Sequence, residues 1–311
     1  MKTYRFVSAL LLTAILATLP ALAVVPPPLP SAQQSYDAGS IHVDAYGTAG
    51  KPALVFIPGL TCGPWAWSGE INAFANDYRI YALTLPGFDG RAPINRPLFT
   101  TVSADFWKWM SQRNVIAPVV IGHSLGGTLA FMLAEQHPER LRAAVSVDGL
   151  PVFPGTEALT GAARETRAAQ MSAPIAASKD QASFTQAMKQ YSLPYLVTSK
   201  SDVNAIASLA GRSNPAATAA WTKEDAQLDL RPSLGKITIP FLLVAPYDAQ
   251  IDAQYGAKSA ADVVGYYQTL TSGTPKLKVV SIDNSRHFIM YDQPVALHAA
   301  IASFLGSLTA Q

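Results

Sequence analysis

The stretch Val119–Gly127, VVIGHSLGG, places a serine between two glycines directly after an apolar run. In a Gly-x-Ser-x-Gly turn, the serine lies at a sharp turn from strand to helix, and each glycine occupies a position where a side chain would collide with the crossing backbone. A segment of helical composition, 125–136, follows the turn. The stretch therefore predicts that Ser124 projects a reactive hydroxyl above the end of a buried strand. A glycine-rich turn with an incidental serine is the alternative, and the flanking strand and helix disfavour it.

Continuous apolar runs recur along the chain and predict strands that are buried on both faces. They lie at 53–57, 80–85, 118–121, 143–147, 241–245 and 277–282, after a weaker alternating stretch at 41–46. Segments of helical composition separate them, the main ones being 71–75, 103–113, 125–136, 253–271 and 294–308. Alternating strands and helices predict an α/β fold with parallel strands and helices on both faces of the sheet.

One interval interrupts this alternation. Residues 151–232 contain no convincing buried strand but do contain scattered aromatic and methionine residues. A disordered linker would offer these side chains nothing to pack on. We therefore expect a helical cap at 151–232, inserted into a core formed by 36–150 and 233–311.

The N-terminal residues resemble an export signal. Lys2 and Arg5 precede an apolar run of 14 residues, 6–19, and Ala21-Leu22-Ala23 has the small-x-small form of a cleavage site. A membrane span needs about 20 apolar residues, so a stable anchor is the less favoured interpretation. We expect a signal peptide at 1–23 that is cleaved after Ala23, a proline-rich exposed lead-in at 24–35, and a periplasmic or secreted protein.

Charge and cysteine content exclude some classes of partner. Of the 23 basic and 21 acidic side chains, the expected signal holds two basic ones, which leaves 21 of each. A neutral chain without a basic cluster is not expected to bind nucleic acid. The single cysteine, Cys62, cannot form an internal disulfide, and it is interpreted as a small residue packed in a loop. No acidic cluster, histidine pair or phosphate-binding glycine loop indicates a metal or a cofactor, so none is expected.

A serine nucleophile needs a base that takes its proton. Of the five histidines, His287 follows the apolar run 277–282 in a loop before the last helix. Loops beyond the carboxyl ends of strands are where sheet-based active sites collect. His287 is therefore the expected base. The other four lie in the first strand region, beside Ser124, at a helix end and within the last helix: His42, His123, His137 and His298.

The acid that orients the base should also follow a strand, between the serine and the histidine in the chain. Asp248 follows the apolar run 241–245 and is the expected acid. Asp148, after 143–147, is the alternative because a neighbouring strand end could also reach the imidazole. Asp252 is expected to open the next helix, and Asp283 is too close to His287 in the chain.

The oxyanion of a tetrahedral intermediate needs two backbone N–H donors. One is expected from Leu125, directly after the nucleophile. The other is expected from Leu60, in the loop PGLTCGPWAW that follows the strand at 53–57.

Five motifs in the expected order resemble the α/β-hydrolase superfamily. They are PGL before GPWAW, LTLPGFDGR, GHSLGG, IPFLLVAPYD and SRHFIMYDQP. The resemblance extends from about Ile41 to the C-terminus, apart from the cap. It implies an α/β-hydrolase fold, with a mostly parallel eight-stranded sheet flanked by helices, and a catalytic triad at Ser124, Asp248 and His287. Two positions depart from the family pattern, since Pro58 replaces a common histidine and Ala245 replaces the usual glycine.

The expected function is that of an exported serine hydrolase which cleaves a carboxylic ester or a lactone through an acyl-enzyme. The expected partner is a small ester or lactone with an apolar portion. A peptidase or amide hydrolase of the same fold remains an alternative, as does a ligand receptor that keeps the triad without turnover. The sequence names neither the acyl group, the alcohol nor the oligomeric state.

Overall fold

The computed structural model of the protein describes residues 27–309. The expected signal peptide at 1–23 and the first residues of the lead-in lie outside the described residues. Among the described residues, no helix is both long enough and apolar enough to cross a membrane.

The described residues contain one eight-stranded sheet, as predicted. Its strands are β1 (Gln34–Ala38), β2 (Ile41–Tyr46), β3 (Ala53–Ile57), β4 (Arg79–Thr84), β5 (Val119–His123), β6 (Ala143–Val147), β7 (Phe241–Tyr247) and β8 (Leu277–Asp283). The strand order is β1-β2-β4-β3-β5-β6-β7-β8. The first two pairings are antiparallel and the remaining five are parallel.

Helices pack on both faces of this sheet. The α-helices of the described residues are α1 (Ser68–Phe74), α2 (Leu98–Gln112), α3 (Leu125–Gln136), α4 (Gly161–Ala176), α5 (Gln181–Ala187), α6 (Leu193–Leu196), α7 (Lys200–Ala210), α8 (Pro215–Gln227), α9 (Ala249–Asp252), α10 (Ala260–Leu270), α11 (Ile289–Asp292) and α12 (Pro294–Thr309). The predicted helix at 253–271 begins later than expected, because Gly256 adopts a left-handed conformation with φ 89° and the Ser259 side chain caps α10.

Side chains of the central strands alternate between two apolar layers. Leu54 and Phe56 of β3 pack with residues of α1 and α12 on one face. Val55 and Ile57 pack with residues of α2 and α3 on the other. Every residue of β5 and β6 is buried, which explains why these strands, apart from His123 at the end of β5, are continuous apolar or small-residue runs rather than alternating ones.

The chain between β6 and β7 is helical, as the composition predicts, and contains α4 to α8. A bridge between Val152 and Asp229 brings the two ends of this segment together. Helix α8 also reaches the core, since the Glu224 carboxylate accepts hydrogen bonds from the amides of Leu98 and Phe99 at the start of α2 (2.8 and 3.2 Å). The exact limits of the cap, 151–232, stay a prediction.

Candidate active site

Ser124 occupies the turn between β5 and α3. Its backbone has φ 54° and ψ −121°, a strained conformation for a residue other than glycine. The Ser124 amide donates to the carbonyl of Val147 at 2.9 Å, which places the turn beside the end of β6. The strain is retained because β5 is fixed within the buried sheet and α3 packs against that sheet.

The two glycines of the motif make this turn possible. A Cβ atom on Gly122 would collide with the carbonyl oxygen of Gly126. A Cβ atom on Gly126 would lie 2.7 Å from the carbonyl oxygen of Pro58, in the loop after β3. Both positions therefore require glycine because backbone crosses them, as the sequence pattern predicts.

His287 lies in the loop between β8 and α11, and its imidazole contacts Asp148. The Nδ1 atom of His287 is 2.5 Å from Oδ2 of Asp148, which directly follows β6. The two side chains are 24% and 11% exposed, so water only partly screens the pair. Because Nδ1 is held by the carboxylate, Nε2 is the nitrogen left to accept a proton.

The prediction that Asp248 contacts His287 is wrong. Asp248 instead pairs with the neighbouring Arg286, whose Nε is 3.0 Å from Asp248 Oδ2. Its other oxygen accepts from the amides of Gln250 and Ile251 at the start of α9. Burial raises the pKa of Asp248, but the Ile251 amide and the Arg286 guanidinium outweigh it and hold that pKa below its usual value. The Asp248 carboxylate is thus fully engaged, and the alternative residue, Asp148, faces the imidazole.

Arg286 also joins the histidine loop to the cap. Its Nη1 donates to the carbonyls of Pro194 and Val197, at 2.7 and 3.3 Å. The amide of the next-but-one residue, Phe288, donates to the carbonyl of Leu196 at 2.9 Å. Helix α6 and the residue after it are therefore held against the loop that carries His287.

His123 links the Ser124 turn to the loop that carries His287, a connection that the sequence did not suggest. Its Nε2 donates to the carbonyl oxygen of His287 at 3.0 Å, and the two rings are 4.7 Å apart. Complete burial is the main cause that lowers the pKa of His123 well below its usual value, and the nearby His287 is the second cause. The His123 ring is therefore neutral. His123 therefore acts as a fixed donor between the two elements rather than as a second base.

The loop after β3 passes directly beside the serine. A Cβ atom on Gly59 would lie 3.1 Å from Ser124 Cβ and 2.7 Å from His123 Nδ1, so the loop could not approach this closely with a larger residue. The next two residues are Leu60 and Thr61, and Thr61 has a left-handed φ of 64°. The cap supports this turn from outside, because buried Ser213 donates to the carbonyl of Thr61 at 2.9 Å.

Two backbone N–H groups at this point are available to a ligand. Leu125 is the first residue of α3, so its amide has no acceptor within the helix. Neither this amide nor that of Leu60 donates to another group in the described part of the chain. The expected oxyanion donors thus both lie on elements that adjoin Ser124.

The Asp148 carboxylate has a second partner, Tyr267 of α10, whose hydroxyl donates to Oδ1. This contact could not be recognised in the sequence, because Tyr267 lies 119 residues from Asp148. No group of three or more histidine, cysteine, aspartate or glutamate side chains suited to a metal ion occurs within residues 27–309.

Curated proteins similar in sequence include two enzymes. The chain is 27% identical over 279 residues to the pimeloyl-[acyl-carrier protein] methyl ester esterase of Aeromonas hydrophila, an alignment that covers 86% of this chain and 100% of the esterase. It is 36% identical over 120 residues to the 2-succinyl-6-hydroxy-2,4-cyclohexadiene-1-carboxylate synthase of Escherichia coli, covering 38% of this chain and 46% of the synthase.

Solved structures with a similar fold include an esterase and a lactonase. A thermophilic esterase from Thermogutta terrifontis gives a TM-score of 0.71 at 15% identity, covering 88% of this chain and 99% of that one. The enol-lactonase from Burkholderia xenovorans gives 0.70 at 15% identity, covering 90% and 100%. At this level of identity the likeness shows the fold alone. The model of the alpha/beta hydrolase fold family matches residues 52–294, which is most of the chain, and the chain therefore belongs to the α/β-hydrolase fold family.

Proposed function

We propose that the protein is an exported serine hydrolase that cleaves a carboxylic ester or a lactone through an acyl-enzyme, without a cofactor. The observation that carries the proposal is the strained Ser124 turn beside a His287–Asp148 pair, at the ends of the neighbouring strands β5 and β6. The similarity to a methyl ester esterase over that enzyme's whole length favours an ester of a carboxylic acid.

In the proposed reaction, the Ser124 hydroxyl oxygen attacks the substrate carbonyl while Nε2 of His287 takes its proton. Asp148 holds the Nδ1–H group of the imidazole and stabilises the imidazolium that forms. The amides of Leu60 and Leu125 donate to the tetrahedral oxyanion. The intermediate then collapses, the leaving alkoxide takes the proton from His287, and the acyl group stays on Ser124.

Water completes the cycle by the same steps in reverse. His287 takes a proton from water, the resulting hydroxide attacks the acyl carbonyl, and Ser124 leaves with the proton from His287. In a lactone the leaving alcohol remains attached to the acyl chain, so the product is a single hydroxy acid. The role expected from the sequence for Asp248 passes to Asp148 in this proposal.

Export is part of the proposal and is supported by the sequence alone. The basic residues, apolar run and cleavage site within 1–23 have the order of a secretory signal.

A fluorophosphonate probe tests the nucleophile, because attack on phosphorus uses the same proton transfer and oxyanion donors as attack on a carbonyl. We expect the purified protein to take up the probe at Ser124, and turnover of short-chain esters or lactones to fall in step with labelling. Ser124→Ala should take up none, and His287→Gln should label slowly because the hydroxyl keeps its proton. Peptide mapping by mass spectrometry locates the label.

Two outcomes would argue against the proposal. A folded protein that labels at Ser124 but hydrolyses no ester, lactone or amide in a broad panel would favour a receptor that keeps the triad. A folded protein that neither labels nor hydrolyses would refute the catalytic role of Ser124.

A further inference from the structure

Both oxygens of the Asp148 carboxylate are held by side chains. Oδ2 contacts Nδ1 of His287 at 2.5 Å, and Oδ1 accepts from the hydroxyl of Tyr267. Within the described residues, these are the only two hydrogen bonds that the carboxylate receives. Asp248 differs, since two amides and a guanidinium hold its carboxylate. In the part of the chain that the structure describes, Tyr267 is therefore the sole group besides His287 that fixes the rotation of Asp148.

The direction of the Tyr267 bond follows from the chemistry of the two groups. An ionised carboxylate can only accept hydrogen bonds, so the phenol donates. Burial, followed by the charge of Asp148, raises the pKa of Tyr267 well above its usual value, which keeps the hydroxyl protonated. Tyr267 is only 8% exposed, and its ring packs with Leu150, Leu243 and Val263. The ring is thus fixed by packing, and the hydroxyl has a defined position.

Several charged or titratable groups surround this assembly. Asp252 of α9 lies within electrostatic reach of both Asp148 and Tyr267. Tyr266 adjoins Tyr267 on α10, and His123 lies against the His287 ring from the nucleophile turn. The charge of Asp248 is paired with Arg286 rather than with this group.

We propose that Tyr267 is a positioning residue for the catalytic histidine: through Asp148 it fixes the carboxylate rotation and sets the basicity of His287. This inference rests on the proposed function, in which His287 is the base. Hydrogen bonds to an ionised carboxylate withdraw part of its negative charge. A carboxylate that loses one of these hydrogen bonds therefore attracts an imidazolium more strongly. Removing the phenol should therefore make His287 more basic and leave Asp148 free to rotate.

Tyr267→Phe removes the hydroxyl and keeps the packed ring. Tyr266→Phe is the matched control, because the hydroxyl of that neighbouring residue donates to Glu157 and not to Asp148. We expect the pKa of His287, measured by NMR titration of its ring, to rise by roughly half a unit or more in Tyr267→Phe. The acidic limb of the pH profile of kcat/KM should move to higher pH by the same amount. The value of kcat on the plateau of its own pH profile should fall about tenfold. Tyr266→Phe should change none of these three quantities.

A double-substitution cycle distinguishes positioning from a general loss of packing. If Tyr267 acts through Asp148, Tyr267→Phe should have no further effect on kcat in an Asp148→Asn background. An equal effect in both backgrounds would overturn the proposal, as would an unchanged His287 titration or the same shift in Tyr266→Phe. Circular dichroism of each variant verifies folding.

The NMR titration does not depend on turnover, so the two proposals can fail separately. If the protein neither labels nor hydrolyses, the proposed function fails, and a shifted His287 pKa in Tyr267→Phe still establishes the electrostatic link. If the protein is active and Tyr267→Phe behaves like Tyr266→Phe in every measurement, only the role of Tyr267 is refuted.

Discussion

Asp148 and Asp248 carry the same carboxylate at the ends of two neighbouring strands, β6 and β7, but their partners differ. Asp248 is held by Arg286 and the first amides of α9, whereas Asp148 faces His287. Spacing in the sequence cannot separate the two, because both residues directly follow a buried strand. Which aspartate contacts His287 depends on the guanidinium of Arg286, which pairs with Asp248. The position of that guanidinium is set by the loop between β8 and α11 and by the cap. The positions of Ser124 and His287 in the fold were predictable, because each residue follows an apolar run that forms a strand and precedes a helix.

Substitution of the two aspartates should have very different effects on catalysis. Asp148→Asn should reduce kcat on the order of 10⁴-fold, because an amide cannot hold the imidazole tautomer that leaves Nε2 free. Asp248→Asn should keep kcat within about tenfold of the unsubstituted protein, since its carboxylate does not touch His287. Steady-state kinetics with one activated ester compares the two. The reverse ranking would return the role of the acid to Asp248.

Asp248 should instead contribute to stability, in a way that depends on pH. Its pKa is lowered in the folded protein, so the stabilisation is complete above the usual aspartate pKa of about 3.9 and is lost as the pH falls through the lower, folded-state value. We expect Asp248→Asn to lower the free energy of unfolding by about 1–3 kcal/mol at pH 7, because a charged hydrogen bond to Arg286 is lost. Urea unfolding at pH 7 and at pH 3 measures the difference, which should shrink at pH 3. A difference that grows on acidification would contradict the assigned partner.

At the scale of elements, the buried strands were the most predictable part of the fold. Strands β3 and β6 match their predicted limits because continuous apolar runs fit only a sheet covered on both faces. Strand β1 was not predicted, since its sequence QSYDA is polar and mostly exposed. It is a strand because it pairs with β2, with Asp37 opposite His42. Tertiary pairing of this kind leaves no local pattern to detect.

The turn between β5 and α3 provides a test at the same scale. Gly126→Ala should lower the free energy of unfolding by about 3 kcal/mol and reduce activity, because the new methyl group would push against the backbone of Ile57 and Pro58. Gly265→Ala is the control, since that glycine lies within α10 with open space around it. It should leave activity unchanged and stabilise the helix by about 0.5–1 kcal/mol. Thermal unfolding with parallel ester assays measures both, and a tolerated Gly126→Ala would show that the turn can relax.

At the scale of the whole molecule, the composition of 151–232 indicated helices but not how they meet the core. The contacts that join them are long-range. Glu224 accepts from the amides at the start of α2, and Ser213 donates to the carbonyl of Thr61. Arg286 donates to the carbonyl of Pro194 in α6 and to that of Val197, directly after α6. Each joins residues that are tens to more than a hundred positions apart, so no local pattern predicts it. These contacts place the cap against the oxyanion loop and the histidine loop together. In the proposed function, the same cap contacts would therefore support both the Leu60 donor and the His287 base.

The proposed export can be tested on the intact chain. Near the start of the described residues, the carbonyl of Pro28 accepts from Asn72 at 3.1 Å, and Leu29 packs on the core. Cleavage after Ala23 would therefore remove none of these contacts. We expect intact mass spectrometry of the protein recovered outside the cytoplasm to give a chain that begins at Val24. Ala23→Arg should block cleavage, because signal peptidase accepts a small residue there, while ester hydrolysis by the purified chain should be kept. Exported protein that retains Met1 would refute the signal peptide.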